Sequence, residues 1–288
     1  MLTVIIIGVT VGLIYGLVAI GYSLIWQSMS LVHFAQGDML MVGGFLAITL
    51  IGMNISNLFV VILLVFVMMA LLGFVIQRGA YRFIPQHRIT TRIIATLGVG
   101  MILRNAAVLI WGTKSRGLPE SFFPGNSLEF GELVIRPVYY WTFIIGLILV
   151  VALVLFLYKT KFGMAMRLTA YNYSLAELMG INPGAYQTIA FMLAAGITGV
   201  AGILVSPISF VSYRMGLAFG VKGFAAAIIG GLDSMPGSLL GGIIIGLIEV
   251  FFGRYISGYI DVLIFAIMIL VLIFKPRGLL GKAHAEKI

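Results

Sequence analysis

Three hydrogen-bonding side chains, His33, Gln36 and Asp38, stand together in "SLVHFAQGDMLMVGG" (Ser30–Gly44), between apolar runs that read as membrane-buried helix. Two chemistries suit such a group. It can satisfy backbone groups freed by a break in the helix, or it can line a polar path, because ionisable residues at membrane depth face a cavity or a partner. The two are compatible, since a break that frees backbone must be walled by protein or water. Asp38 is expected to cap the resumed helix, with His33 and Gln36 facing polar space. In "GGLDSMPGSLLGG" (Gly230–Gly242), Asp233, Ser234, Pro236 and Gly237 likewise forbid a continuous helix. Asp233 or Ser234 is the expected N-cap of the helix that follows. One such acid-bearing, glycine-containing break lies in each half of the chain, which is the sequence pointer to a translocation region.

Further charges interrupt the apolar runs: Arg104, Lys222, Glu249, Arg254 and Asp261. Arg104 is expected to be paired or interfacial. Lys222 either pairs with an acid, Lys222–Glu249 being one option and Arg254–Asp261 its counterpart, or receives a substrate carboxylate. Other chemistries are missing. No G-x-x-x-x-G-K-[ST] loop is present to cradle ATP, and neither H-E-x-x-H nor G-x-S-x-G occurs. The chain has no cysteine, and His33, His87 and His284 fit no zinc or haem spacing, so neither a metal nor a bound cofactor is expected.

The elements that must position these residues are helices in a bilayer. Of 288 residues 61% are hydrophobic and 9% charged, against roughly 25% charged in soluble domains, too few to cover a water-facing surface. About 20 apolar residues cross the hydrocarbon core. That ruler marks Leu2–Trp26, Met39–Gly52, Asn57–Gln77, Ile93–Trp111, Val138–Tyr158, Tyr186–Val205, Leu217–Leu232, Ser238–Phe252 and Tyr259–Phe274. The expected fold is an all-α polytopic membrane protein of about eight or nine transmembrane helices. It forms one transmembrane domain over 1–288, with two glycine-rich broken helices. Leu2–Ile25 lacks a basic flank and a small-residue cleavage site, and reads as a retained span rather than a signal. The short Met39 and post-Leu217 pieces read as tilted crossings or half-helices.

The net charge of +9 would suggest nucleic acid in a soluble protein; here it sorts by loop, and no nucleic-acid partner is expected. Arg78, Arg82, Arg88 and Arg92 form one cluster, Lys159, Lys161 and Arg167 a second, and Lys275, Arg277, Lys282 and Lys287 the tail. By the positive-inside rule these are cytoplasmic. The mixed-charge loop 112–137, with Glu120, Glu129 and Glu132, is then extracytoplasmic, the N-terminus outside and the 275–288 tail inside.

Small residues recur every fourth position at Gly8/Gly12/Gly16, Gly237/Gly241, Gly242/Gly246, Ala195/Gly199 and Ala226/Gly230. They predict close helix packing inside the bundle, with a self-dimer face as the alternative. In the segment 159–186, Met164, Leu168, Tyr171, Leu175 and Leu178 step by four and three along one apolar face. Gly180 stops that helix and Asn182-Pro183-Gly184 turns. Such a face suits the bilayer surface or, the preferred reading, a groove on a partner protein.

Five ordered stretches resemble the permease subunits of branched-chain amino-acid ABC importers, the LivH-type family. They are "LVHFAQGDMLMVGGFLA", "RGAYRFIPQHRITTRIIATLGVGMILRN", "FGMAMRLTAYNYSLAELMGIN", "GVKGFAAAIIGGLDSMPGSLLGGIIIGLIE" and "KPRGLLG". The resemblance covers nearly the whole chain. It implies a multi-pass protein of the bacterial cytoplasmic membrane, paired with a second, homologous permease chain. Two cytoplasmic ATPase subunits, which use ATP and Mg, and an extracytoplasmic substrate-binding protein would complete it. The chain itself would be no enzyme. Its translocation path would involve His33, Gln36, Asp38, Lys222 and Asp233. Its ATPase-coupling segment would run over Phe162–Ile181, with Arg167, Ala176, Glu177 and Gly180 at matching positions. Three departures stand out: Asp38 for the family's Glu, Tyr171-Asn172 at an acidic pair position, and Gln86-His87 interrupting a basic run. Related permeases carry urea, short amides or sugars, so substrate is the weaker inference. A gradient-driven secondary transporter is the rival class.

Overall fold

A computed structural model describes residues 1–85, 88–130, 133–171 and 173–281 of the chain. Gln86-His87, Glu132, Asn172 and the tail charges Lys282 and Lys287 lie outside the described residues. The architecture is helical: α1 (Leu2–Met29), α2 (Gln36–Gly52), α3 (Leu58–Ile76), α4 (Ile89–Trp111), α5 (Pro137–Lys159), α6 (Lys161–Tyr171), α7 (Tyr173–Leu178), α8 (Pro183–Val205), α9 (Met215–Gly230), α10 (Met235–Ile256) and α11 (Ile260–Phe274).

Among the described residues, six segments are long and apolar enough to cross a membrane. Five are the single helices α1, α3, α4, α5 and α8; the sixth contains both α10 and α11. The short apolar helices α2 and α9 bring the apolar set to nine, in line with the all-α polytopic expectation. An α-helix rises about 1.5 Å per residue, so 17 residues in α2 and 16 in α9 give about 25 Å, short of the ~30 Å core. Their N-terminal turns meet: a Cβ on Gly37 would strike the Gly216 carbonyl and the Gly220 backbone.

The glycine stripes pack within the chain. Gly12 lies so close to α10 that a Cβ there would sit 2.6 Å from Ile243 Cα, while Gly242 and Gly246 face the backbone of Gly16 and Gly12. Gly43 abuts Gly199, joining α2 to α8, and Gly241 abuts Ala226, joining α10 to α9. With little hydrophobic drive between helices in lipid, backbone contact of this kind is what holds them. At one end of the bundle the chain folds back, with Leu279 and Leu280 N–H donating to the carbonyls of Ile229 and Gly230. At the other, Arg116 and Val211 exchange two backbone hydrogen bonds, tying loop 112–136 to the α8–α9 connection. That loop also contains a short antiparallel hairpin, Leu128–Phe130 with Leu133–Ile135, which the sequence pattern did not announce.

Several boundaries differ from the hydropathy ruler. The second helix begins at Gln36 rather than Met39, so Gln36 and Asp38 lie in its first turn and not in the break. Ala35 is the N-cap and makes no side-chain cap bond; Asp38 is drawn away to Arg104, as described below. The fourth helix starts at Ile89, four residues early, which places Arg92 inside it and buried. The Asn182-Pro183-Gly184 turn is instead the start of α8: Pro183 is its first residue, and Asn182 Oδ1 accepts from Ala185 N–H at 3.2 Å. Ser234, not Asp233, caps α10, accepting from Gly237 N–H at 3.2 Å. In the segment where the sequence pattern predicts an amphipathic helix ending at Gly180, the described residues are helical over Lys161–Tyr171 and Tyr173–Leu178, with Asn172 outside the described residues.

Candidate functional site

Gln36 is fully buried between helices and uses its whole amide. Nε2–H donates to Thr198 Oγ1 at 2.5 Å and to the Ala194 carbonyl at 3.2 Å. A carbonyl can only accept, so the amide NH2 must face Ala194 and Oε1 must face His33. His33 Nδ1, 3.2 Å away, is then the donor to Oε1. The imidazole is also fully buried, edge-on to Phe191 (centroids 4.8 Å) and Tyr81 (5.5 Å). These two residues tie the α1–α2 break to α8. They face packed protein in this conformation.

Asp38 points the other way. Its carboxylate meets Arg104 Nε at 2.9 Å, with the Asp38 side chain 2% and the Arg104 side chain 32% exposed. Oδ1 also lies against Gly216, in the first turn of α9, where the helix dipole favours negative charge. Asp38 thus sits in the first turn of α2, beside the start of α9 and against one arginine. A cavity of about 150 Å³ opens here, walled by Tyr22, Phe34, Leu97, Leu217 and Phe224 around the ion pair. Of the two placements expected for Arg104, paired or interfacial, it is paired; the partner, far away in the chain, carries no local sequence signal.

Lys222 forms a third constellation. Its ammonium lies 2.7 Å from Glu249 Oε1 and 3.2 Å from Asp261 Oδ1, and 5.9 Å from the Tyr15 ring centroid. Glu249 is the partner the sequence suggested; Asp261 pairs with Lys222 rather than with Arg254. Two acids around one base leave the group one negative charge in excess. Beside it is a cavity of about 400 Å³ with aliphatic walls, including Ile7, Val11, Ile14, Ile208 and Val250. Asp233 lies elsewhere, at the α9–α10 break, where its Oδ1 accepts from Trp26 Nε1–H at 2.8 Å. The five candidate path residues therefore occupy separate places: His33 with Gln36, Asp38 with Arg104, Lys222 with Glu249, and Asp233 with Trp26.

In the segment between α5 and α8, Arg167 stacks its guanidinium over Tyr158 (4.6 Å) and reaches the Gly163 carbonyl. Ala176 is buried and Glu177 exposed. Gly180 has φ +76°, a left-handed conformation suited to a helix stop, and Ile181 N–H returns to the Ala176 carbonyl at 2.9 Å. The buried residues of these helices include Ala165, Met166, Thr169 and Ala176. Of the apolar face read from the sequence, Met164 and Leu178 are 62% and 85% exposed, and Phe162 and Met179 beside it are 54% and 64% exposed.

The family described as "Branched-chain amino acid transport system / permease component" matches residues 4–272. BraD of Pseudomonas aeruginosa, a high-affinity branched-chain amino acid transport system permease protein, is 32% identical over 297 aligned residues, 98% of this chain and 96% of that protein. LivH of Salmonella typhimurium, with the same description, is 31% identical over 98% of this chain and 96% of its own. A probable branched-chain amino acid transport permease, LivH of Methanocaldococcus jannaschii, is 29% identical over 92% and 88%. No solved structure matches the chain.

Proposed function

The chain belongs to the family of branched-chain amino-acid transport permease components, and from that premise we propose that it forms the membrane path of an ATP-driven importer for apolar amino acids. The observation that carries this reading is end-to-end similarity to relatives named as permeases of high-affinity branched-chain amino-acid systems. The cavity beside Lys222 supports the substrate class. It sets an ammonium and carboxylates, complementary to the two ends of a zwitterion, next to aliphatic walls in about 400 Å³, as small-molecule sites generally do.

On this reading the whole chain is one permease domain. It pairs with a second permease chain, receives cargo from an extracytoplasmic binding protein, and binds no cofactor itself. ATP and Mg are used by two cytoplasmic ATPases. The tail and α6–α7 are cytoplasmic and the N-terminus is outside. The exposed Phe162, Met164, Leu178 and Met179 fit an apolar groove on an ATPase, with Arg167, Ala176, Glu177 and Gly180 shaping the helices that present them. ATPase closure would displace α6–α7. Because α6 packs on α1, α5 and α8, and α8 is locked to α2 at Gly43/Gly199, the movement reaches the facing starts of α2 and α9. His33 and Gln36 act as the tie that keeps the α1–α2 break in step with α8. Asp38 and Lys222 face the cargo, and Asp233 steadies the α9–α10 break.

The energy source is tested by measuring labelled leucine uptake in cells carrying this chain, after ATP depletion and, separately, after a protonophore at maintained ATP. Uptake lost with ATP and retained with the protonophore is expected. The reverse pattern establishes a gradient-driven transporter.

A further inference from the structure

Between the start of α8 and the α3–α4 connection lies a cavity of about 500 Å³, separate from the cavities at Asp38 and Lys222. Arg78, Arg82 and Arg92 all line it, and no described acidic residue does. Three like charges around one cavity repel one another unless an anion joins them. Arg92 is 3% exposed and Tyr81 is 1% exposed. Arg92 Nη1–H donates to the Met29 carbonyl at 2.9 Å, yet among the described residues its buried Nε has no hydrogen-bond partner, and neither has the buried Tyr81 Oη. Buried polar groups are nearly always satisfied, and here two donors without a partner among the described residues belong to residues that line one basic cavity. Gln77, whose Oε1 accepts from Thr188 Oγ1–H at 2.8 Å, holds the wall between α3 and α8.

The geometry points to a binding site here for the phosphate of an anionic phospholipid, with Arg78, Arg82 and Arg92 as its ligands. The position favours a lipid over a soluble anion. The cavity lies where α3 ends and α4 and α8 begin, the level at which headgroups meet the ends of membrane helices, and basic pockets between such helices take lipid phosphates. Directly above it on the apolar part of α3, Leu71 (55%), Phe74 (38%) and Val75 (62%) are exposed, as is Ile94 (63%) on α4. They offer acyl chains an apolar surface on the two helices that meet at the cavity. Arg78 already lies over the Phe74 ring at 5.4 Å, linking the charged floor to the apolar wall. The inference uses neither the substrate nor the importer reading, so it stands or falls separately.

The test is thermal unfolding of the purified full-length chain in neutral detergent with added dioleoylphosphatidylglycerol, dioleoylphosphatidylcholine or inorganic phosphate. The anionic lipid should raise the midpoint by roughly 5 °C and the zwitterionic lipid by much less. The shift should vanish in Arg78→Ala/Arg82→Ala, both exposed positions that tolerate substitution. It should persist in Lys114→Ala/Arg116→Ala, which removes the same charge at the opposite end. Native mass spectrometry should show phosphatidylglycerol retained by the parent and lost from the first variant. An equal shift with inorganic phosphate would overturn the lipid assignment. Equal shifts in the parent and Arg78→Ala/Arg82→Ala, or equal losses in both double variants, would overturn the site.

Discussion

Removing the charge of Asp38 isolates the Arg104 guanidinium at membrane depth. At 2.9 Å and an effective dielectric constant of about 20, the pair attraction is on the order of 6 kcal/mol before desolvation. Breaking one partner of a buried pair costs about 3–5 kcal/mol. Arg104 is 32% exposed and recovers part of that by solvation, so Asp38→Asn or Arg104→Gln alone should lose about 1–3 kcal/mol. The double variant leaves two amides able to hydrogen-bond, and should return to within about 1 kcal/mol of the parent, because replacing both charges avoids the stranded one. The assay is thermal unfolding in detergent followed by tryptophan fluorescence, with Trp111, stacked on Phe45 at 5.0 Å, as reporter. Each single variant should fall by roughly 3–8 °C, and the double by much less. A double variant that loses as much as the two singles summed would show that the two charges are not coupled. Uptake adds a second reading. If the pair faces the cargo, the double variant regains stability and still transports poorly.

Four other substitutions follow from the same packing. Gly12→Leu drives a side chain into the backbone of Ile243; with no flexible group to yield, the loss should reach or exceed the ~3 kcal/mol upper end of overpacking costs, read as a lowered unfolding midpoint. Ser234→Ala removes the cap to Gly237 and should cost about 1 kcal/mol in the same assay, while Asp233→Ala leaves that cap in place. Leu178→Asp, at an 85% exposed position, should leave the midpoint unchanged and cut uptake several-fold at equal expression; undiminished uptake would remove Leu178 from the coupling surface.

The helical, multi-pass architecture was legible because apolar runs of membrane length are local patterns. The glycine stripes were legible too: four-residue spacing on Gly8, Gly12 and Gly16 announces a close helix neighbour. That the neighbour is α10 was not, since nothing in one stripe names its partner. Lys222–Glu249 was readable as one pairing among others, whereas Asp38–Arg104 joins residues with no common motif. Helix starts misled where hydropathy and geometry part. Polar Gln36 and Asp38 looked like a break, yet their polarity is spent on Thr198, Ala194 and Arg104, and the backbone is already helical. The hairpin at 128–135 escaped because three-residue strands in a mixed-charge loop carry too short an alternation to count. The basic cavity escaped for another reason: Arg78, Arg82 and Arg92 read as a topology signal, and only the packing of the α3–α4 connection against α4 and α8 sets all three around one cavity.

The central claim, a permease for apolar amino acids, is met most directly by uptake of labelled leucine in cells with and without this chain, against excess unlabelled valine, urea or ribose. Uptake that requires the chain and yields to valine alone is the predicted result. Leucine uptake unchanged by deleting the chain would contradict it, and competition by urea or ribose would move the substrate to that class.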